Sequence, residues 1–225
     1  MYLVELIENK LLRNKINVFL DRIDAGKLMG DLLKFYANAK DVVVLAIPAG
    51  GVPVANEISK KLCLPLDLAV TRKLHVPWNQ EAGFGAISWD GTVLLNKPLI
   101  DALGLTEVDI EKSVSEEKKV IQNRLKKFRG NMPFPNLEDK RVIIVDDGLA
   151  SGFSMLVTIK TLREIVKEII VAVPTASVGA INLISPYADK IYCLNVRSGS
   201  FFAVANAYLV WNDLTDENVL NILRK

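Results

Sequence analysis

The sequence predicts a doubly wound α/β fold, a mostly parallel sheet flanked by helices, and three observations carry that expectation. Unbroken aliphatic runs at residues 42–47, 142–145 and 169–173 lack polar alternation, as strands buried on both faces of a parallel sheet require. An apolar pattern at helical spacing follows, clearest at Leu156, Ile159, Leu162, Ile165 and Val166. Small residues and carboxylates stand between strand and helix, at the strand ends where open α/β sheets place their ligands. With 225 residues and 50% hydrophobic content, the chain can bury one sizeable core, and it reads as a single domain over residues 1–225 with its core at about 24–196.

Taken in order, residues 1–20 mix aliphatic and charged residues at roughly helical spacing and predict an N-terminal helix. Asp24 is placed as the N-cap of a helix to about Asn38, with Leu28, Leu32, Leu33 and Phe35 as its apolar face. The strand at 42–47 runs into Pro48-Ala49-Gly50-Gly51-Val52-Pro53 and a helix to about Leu62. Residues 66–71 read as a strand, with Arg72 and Lys73 emerging together at its end. Residues 75–96 carry Pro77, Trp78, Gly83, Gly85 and Gly91, a poor helix and a broken strand, which predicts a mobile hairpin or lid. Residues 106–129 form a charged helix. After the helix that carries Leu156 to Val166, residues 169–173 and 190–196 are strands, and Pro174-Thr175-Ala176-Ser177 opens a helix to about Ser185.

Composition excludes several classes. Net charge is +2, from 28 basic and 26 acidic residues, so nothing favours a nucleic-acid or anionic-membrane surface. No apolar stretch reaches transmembrane length, and Glu5 and Glu8 stand where a signal peptide would be apolar. A cytoplasmic protein is expected. Cys63 and Cys193 are isolated and expected to be buried, reduced packing residues. One histidine, His75, cannot build a multi-histidine metal site.

The chemistry concentrates in one stretch. Val142-Ile143-Ile144-Val145 ends in Asp146-Asp147, followed by Gly148-Leu149-Ala150-Ser151-Gly152-Phe153-Ser154-Met155. Glycines allow close approach of a ligand, and free N–H groups at a helix start attract a phosphate dianion. Two carboxylates beside that cradle would repel phosphate, so they suit another part of the ligand; a vicinal diol supplies two O–H donors. A 5-phosphorylated ribose meets both demands.

This stretch resembles the 5-phosphoribosyl 1-pyrophosphate (PRPP) binding motif of type I phosphoribosyltransferases. The usual form has two threonines where Ser151 and Ser154 stand, and an aliphatic where Gly148 stands; serine keeps the hydroxyl, and Gly148 is expected only to loosen the backbone. The resemblance covers about residues 19–220 and implies the phosphoribosyltransferase-like fold with a small hood, here the C-terminal segment at about 197–225 with the N-terminal helix as a candidate second part. It implies Mg²⁺-dependent transfer of 5-phosphoribosyl from PRPP to a nitrogen of a nucleobase-like acceptor, with inversion and release of pyrophosphate.

By that resemblance Ala150, Ser151, Gly152, Phe153 and Ser154 bind the 5′-phosphate, and Asp146 and Asp147 hold the ribosyl hydroxyls and stabilise developing positive charge. Asp146 is the one candidate metal ligand, since Mg²⁺ rides mainly on pyrophosphate and diol. Ala49, Gly50 and Gly51 resemble the pyrophosphate loop, but Ala49 replaces a residue that is often basic, a loss of ~1.5–3 kcal/mol if one charged hydrogen bond is missing. Arg72 and Lys73 are the candidates to replace that cation. Glu81 in the lid is a candidate proton shuttle. Phe202, with Phe201 and Trp211 as alternatives, can stack on the base. Leu209 stands near where purine-salvage members carry an acid, so a standard hypoxanthine/guanine pocket is not expected. A homodimer is expected. The rival reading is a non-catalytic PRPP- or nucleotide-binding regulator on the same fold. A Rossmann oxidoreductase is excluded because Gly50-Gly51-Val52-Pro53 does not supply Gly-x-Gly-x-x-Gly.

Overall fold

The computed structural model describes residues 4–199 and 202–224, with the side chains of residues 80–82 outside that description. The three aliphatic runs form adjacent strands β2 (Val42–Ala46), β7 (Arg141–Val145) and β8 (Glu168–Ser177). With β1 (Glu5–Glu8), β3 (Leu66–Leu68) and β9 (Lys190–Arg197) they make a six-stranded sheet in the order β1-β9-β8-β7-β2-β3. Every pairing in it is parallel.

Both faces are covered, which is why the strands needed no polar alternation. Val42, Val44, Ala46, Ile143, Val145, Ile170 and Ala172 pack on one side with Ala25 and Met29 of α1 (Arg22–Leu32) and Val54 and Ile58 of α2 (Gly51–Leu62). Val43, Leu45, Val142, Ile144, Ile169, Val171 and Val173 pack on the other with Met155, Leu156 and Ile159 of α5 (Phe153–Leu162) and Ile181 and Ile184 of α6 (Val178–Ile184). The period-two alternation of strand side chains sends each residue to the face opposite its neighbour's. Fully burying one such aliphatic is worth ~1.5–3 kcal/mol.

The chain leaves β2 toward β3 on one side, whereas β7, β8 and β9 lie on the other. The strand order therefore reverses between β2 and β7. A crevice opens outside the C-terminal ends of strands at such a switch point.

Several expectations are corrected. Residues 5–8 are a strand, not part of a helix: β1 supplies the edge of β9 with hydrogen-bond partners that a helix would leave unmet. Asn14 and Asn17 then take left-handed backbone (φ 60° and 51°) that ends any helical course. Buried Asn195 donates to the carbonyls of Leu12 and Lys15 and anchors this turn. The N-cap of α1 is Asp21, whose carboxylate accepts from the amide of Asp24 at 2.8 Å; Asp24 in turn accepts from the amide of Leu20 at 3.0 Å.

The hairpin expected in residues 75–96 is present, as part of a larger sheet. These residues lie mostly in an antiparallel three-stranded sheet of β4 (Arg72–Val76), β5 (Asn79–Ile87) and β6 (Val93–Leu95). Gly85 is needed there because a Cβ would stand 2.3 Å from the carbonyl oxygen of Leu94. This sheet packs on α4 (Glu107–Arg129), which begins in a Thr106 capping box. The short α3 (Lys97–Leu103), capped by Asn96, was not foreseen. Residues 174–177 continue β8 rather than starting a helix, and Ser177 instead caps α6 by accepting from Ala180 at 3.0 Å. Cys63 is exposed and holds a left-handed helix C-cap at φ 53°, while Cys193 is buried as expected.

The C-terminal segment crosses back over the first residues of the domain. Tyr208 bridges Phe19, the amide of Leu209 donates to Phe19 at 2.8 Å, and that of Val210 donates to Leu20 at 2.8 Å. It ends in α7 (Asp216–Leu223), which packs on α2 and is tied to α4 by Arg124 and Asp216 at 3.0 Å. Among the described residues no helix is long and apolar enough to cross a membrane.

Candidate functional site

The loops that follow β2 and β7 meet at the switch point. The amide of Ile47 donates to the carbonyl of Val145 at 2.8 Å, which draws residues 48–51 against the acid pair. The Pro48–Ala49 peptide is cis. A Cβ on Gly50 would lie 2.1 Å from Oδ2 of Asp147, and one on Gly51 would lie 2.6 Å from the carbonyl oxygen of Val145. The Gly-Gly pair is thus required by space.

After β7 the chain passes Gly148, whose missing side chain is also a matter of room. A Cβ there would meet Cγ1 of Val204 at 2.5 Å and Cγ2 of Thr175 at 2.9 Å. Far from loosening the backbone, Gly148 is where the C-terminal segment seats on the loop. The loop is pinned on its outer side: the amide of Leu149 donates to Thr175 at 2.9 Å and Ser177 Oγ donates to the carbonyl of Ala150 at 2.8 Å. Gly152 turns it at φ 82° into α5, whose first amides have no intrahelical acceptor. Among the described residues, the hydroxyls of Ser151 and Ser154 have no hydrogen-bond partner in the protein.

Asp146, Asp147, the residues from Gly148 to Gly152, Ser154, Met155, Lys73, Val204 and Trp211 line one cavity of about 220 Å³. Acids, loop amides, hydroxyls and a cation thus share a wall.

Comparison with known proteins identifies a family. Residues 90–202, just over half of the chain, match the family model described as phosphoribosyl transferase domain. The chain belongs to the phosphoribosyl transferase family. It is 34% identical, over 92% of its length, to the Mycobacterium tuberculosis H37Rv protein named "Putative phosphoribosyl transferase Rv0571c", and equally to its counterpart MT0597 in strain CDC 1551. The chain spans about half the length of these relatives, 47%. It superposes on the crystal structure of TT1426 from Thermus thermophilus with a TM-score of 0.72 and 31% identity, covering 91% of this chain and 97% of that one.

In this phosphoribosyl transferase domain, the Arg72/Lys73 pair is split by strand geometry, because consecutive residues on β4 face opposite ways. Lys73 faces the cavity; Arg72 turns to α4 and pairs with Glu117 at 2.7 Å. Trp211 lines the cavity, whereas Phe202 lies 5.9 Å from the Arg197 guanidinium and is not among the lining residues. Phe201 and the side chain of Glu81 lie outside the described residues. Leu209 is 62% exposed.

The acids carry partners that the sequence did not reveal. Arg22, the first residue of α1, donates through Nε to Oδ2 of Asp147 at 2.8 Å and through Nη1 to the carbonyl of Asn212 at 2.9 Å; its guanidinium lies 3.8 Å from the Trp211 ring centroid. Tyr208 donates its hydroxyl to the Asp147 carbonyl at 2.6 Å. With the helix start placed at Asp24, Arg22 fell outside it; recognising Asp21 as the cap would have marked Arg22 as a cation at a helix N-terminus, where the dipole disfavours it.

Burial, with the neighbouring Asp147 carboxylate, pushes Asp146 well above the usual carboxylate range. Burial also raises Asp147, against the opposing pull of Arg22. Between the ordinary carboxylate range and these raised values the folded chain binds more protons than the unfolded one, so this pair's contribution to stability is lost as pH rises through that window. Asp146→Asn removes the buried charge and can still accept the Asp147 amide hydrogen bond, 2.8 Å in the native pair. The variant is expected to melt ~2–4 °C higher at neutral pH, about 1 kcal/mol for a chain of this size. Its advantage over wild type should shrink toward about pH 4. Paired thermal melts across pH check this, and an equal difference at every pH would contradict it.

Proposed function

We propose that this domain transfers 5-phosphoribosyl from PRPP to a nitrogen of a nucleobase-like acceptor, releasing pyrophosphate, with Mg²⁺ required. The observation that carries the reading is one cavity in which Asp146 and Asp147 stand beside residues 148–152 and Ser154, with Lys73 and Trp211 on its wall. The α5 N-terminus and the free Ser151 and Ser154 hydroxyls suit the 5′-phosphate. The acids suit the ribosyl 2′ and 3′ hydroxyls, and their negative charge favours the positive charge that develops on the ring as the bond to pyrophosphate lengthens. Lys73 and the backbone of Ala49, Gly50 and Gly51 suit the pyrophosphate, and the indole of Trp211 suits a flat acceptor.

The donor set fits Mg²⁺ on these terms. Among the described residues no group of three His, Cys, Asp or Glu side chains could hold a metal, and Mg²⁺ characteristically takes one or two carboxylates with the rest from water and substrate phosphate. Asp146 would be the protein ligand, since Asp147 is already engaged by Arg22. When bound, the cation would neutralise charge on the leaving pyrophosphate.

A second reading, a binding protein without turnover, is favoured by Ala49, which brings no cation to the pyrophosphate loop. Calorimetry with PRPP and Mg²⁺, followed by a pyrophosphate-release assay over a panel of bases, separates the two. Binding with release supports the transferase, binding without release across the panel supports the binding protein, and no binding by the wild-type chain removes both.

A further inference from the structure

Arg22 is placed where stability alone would not put it. A cation at the first position of a helix opposes the helix dipole. The pair with Asp147 is nearly enclosed, at 10% and 13% side-chain exposure, and a buried ion pair is seldom more stabilising than apolar residues of the same volume. A local rule broken beside a cavity of this kind points to a functional position.

The contacts indicate what the position does. One edge of the guanidinium holds Oδ2 of Asp147, another holds the carbonyl of Asn212, and its face lies on Trp211, which also packs 5.2 Å from Tyr208. Tyr208 closes the circuit by bonding the Asp147 carbonyl. The guanidinium is planar and rigid, so a movement of the Asp147 carboxylate is carried to the indole rather than absorbed, as a lysine ammonium would absorb it.

Resting on the reading that Asp147 takes the ribosyl diol, we propose that Arg22 is a positioning residue that couples recognition of that diol to the placement of Trp211 at the acceptor side of the cavity. Ribosyl binding then sets the indole before the acceptor arrives, and order of binding follows from one side chain.

The test compares ribose 5-phosphate with 2-deoxyribose 5-phosphate, which lacks one hydroxyl but keeps the phosphate. Dissociation constants are measured for wild type, Arg22→Lys and Trp211→Leu, with inorganic phosphate as the control ligand. Trp211 emission is followed in a Trp78→Phe, Trp89→Phe background, which leaves one of the three tryptophans. Wild type should prefer the ribose compound by roughly tenfold, the equivalent of one good hydrogen bond. Each variant should reduce that preference to about twofold while phosphate affinity holds, and only the ribose compound should change Trp211 emission. A wild-type preference retained in either variant, or emission indifferent to the hydroxyl, overturns the coupling. Should Arg22→Lys not fold, Trp211→Leu decides, since it leaves the Arg22–Asp147 pair in place. Wild type binding neither sugar phosphate would instead bring down the assignment of the site on which the proposal rests.

Discussion

Asp147→Ala is expected to destabilise the domain by about 3–5 kcal/mol, as well as abolishing ribosyl recognition. Its carboxylate is the acceptor of the Arg22 Nε hydrogen bond at 2.8 Å, and both side chains are close to fully enclosed. Truncating one member leaves a buried, unpaired charge, which costs far more than the intact pair contributes. The pair with Arg22 makes Asp147 part of the packing as well as of the cavity wall. Removing both charges in Arg22→Met, Asp147→Ala should recover part of the loss, and the double-mutant cycle measures the coupling. The check is urea unfolding of the four proteins. Additive single effects, or an Asp147→Ala midpoint equal to wild type, would show that the pair carries no such cost.

Gly51→Ala is expected to cost about 1–3 kcal/mol or more and to disable binding, because the clash is backbone on backbone. The added Cβ would stand 2.6 Å from the carbonyl oxygen of Val145 and 2.9 Å from Cα of Asp146. Neither atom can rotate away, so relief requires moving β7 relative to α2, and overpacking of this kind forces backbone shifts. The shift displaces Asp146 and Asp147 directly, so recognition should fall more than stability. Gly199→Ala is the control, since nothing among the described residues lies within 4 Å of its Cβ position. Thermal melts together with PRPP titration check the pair. Equal behaviour of the two alanine variants would mean that the loop after β2 gives way easily.

How much of this was legible beforehand depended on the range of the determining interaction. The central strands were evident because burial on both faces demands continuous aliphatics, and residues 42–47 and 142–145 meet that demand without reference to anything else. The loop from Asp146 to Ser154 was legible for the same reason: its acids, glycines and hydroxyls are consecutive, and the strand before and helix after fix their arrangement. The edge strand β1 was not legible. Residues 5–8 become a strand only because β9, far along the chain, presents an open edge.

The sequence by itself determined the strands and helices of the doubly wound core, the loop from Gly148 to Ser154 and the acid pair, because each is written within a dozen or so consecutive residues. Only the tertiary structure decided which cations serve the site. The neighbours Arg72 and Lys73 point opposite ways once β4 forms, one to Glu117 and one to the cavity. Arg22 reaches Asp147 across 125 positions because packing α1 on α2 and the sheet brings its first residue under the C-terminal segment. A side chain's type is local information, but its direction and its partner are set by the backbone it sits on and by the surfaces that backbone must bury.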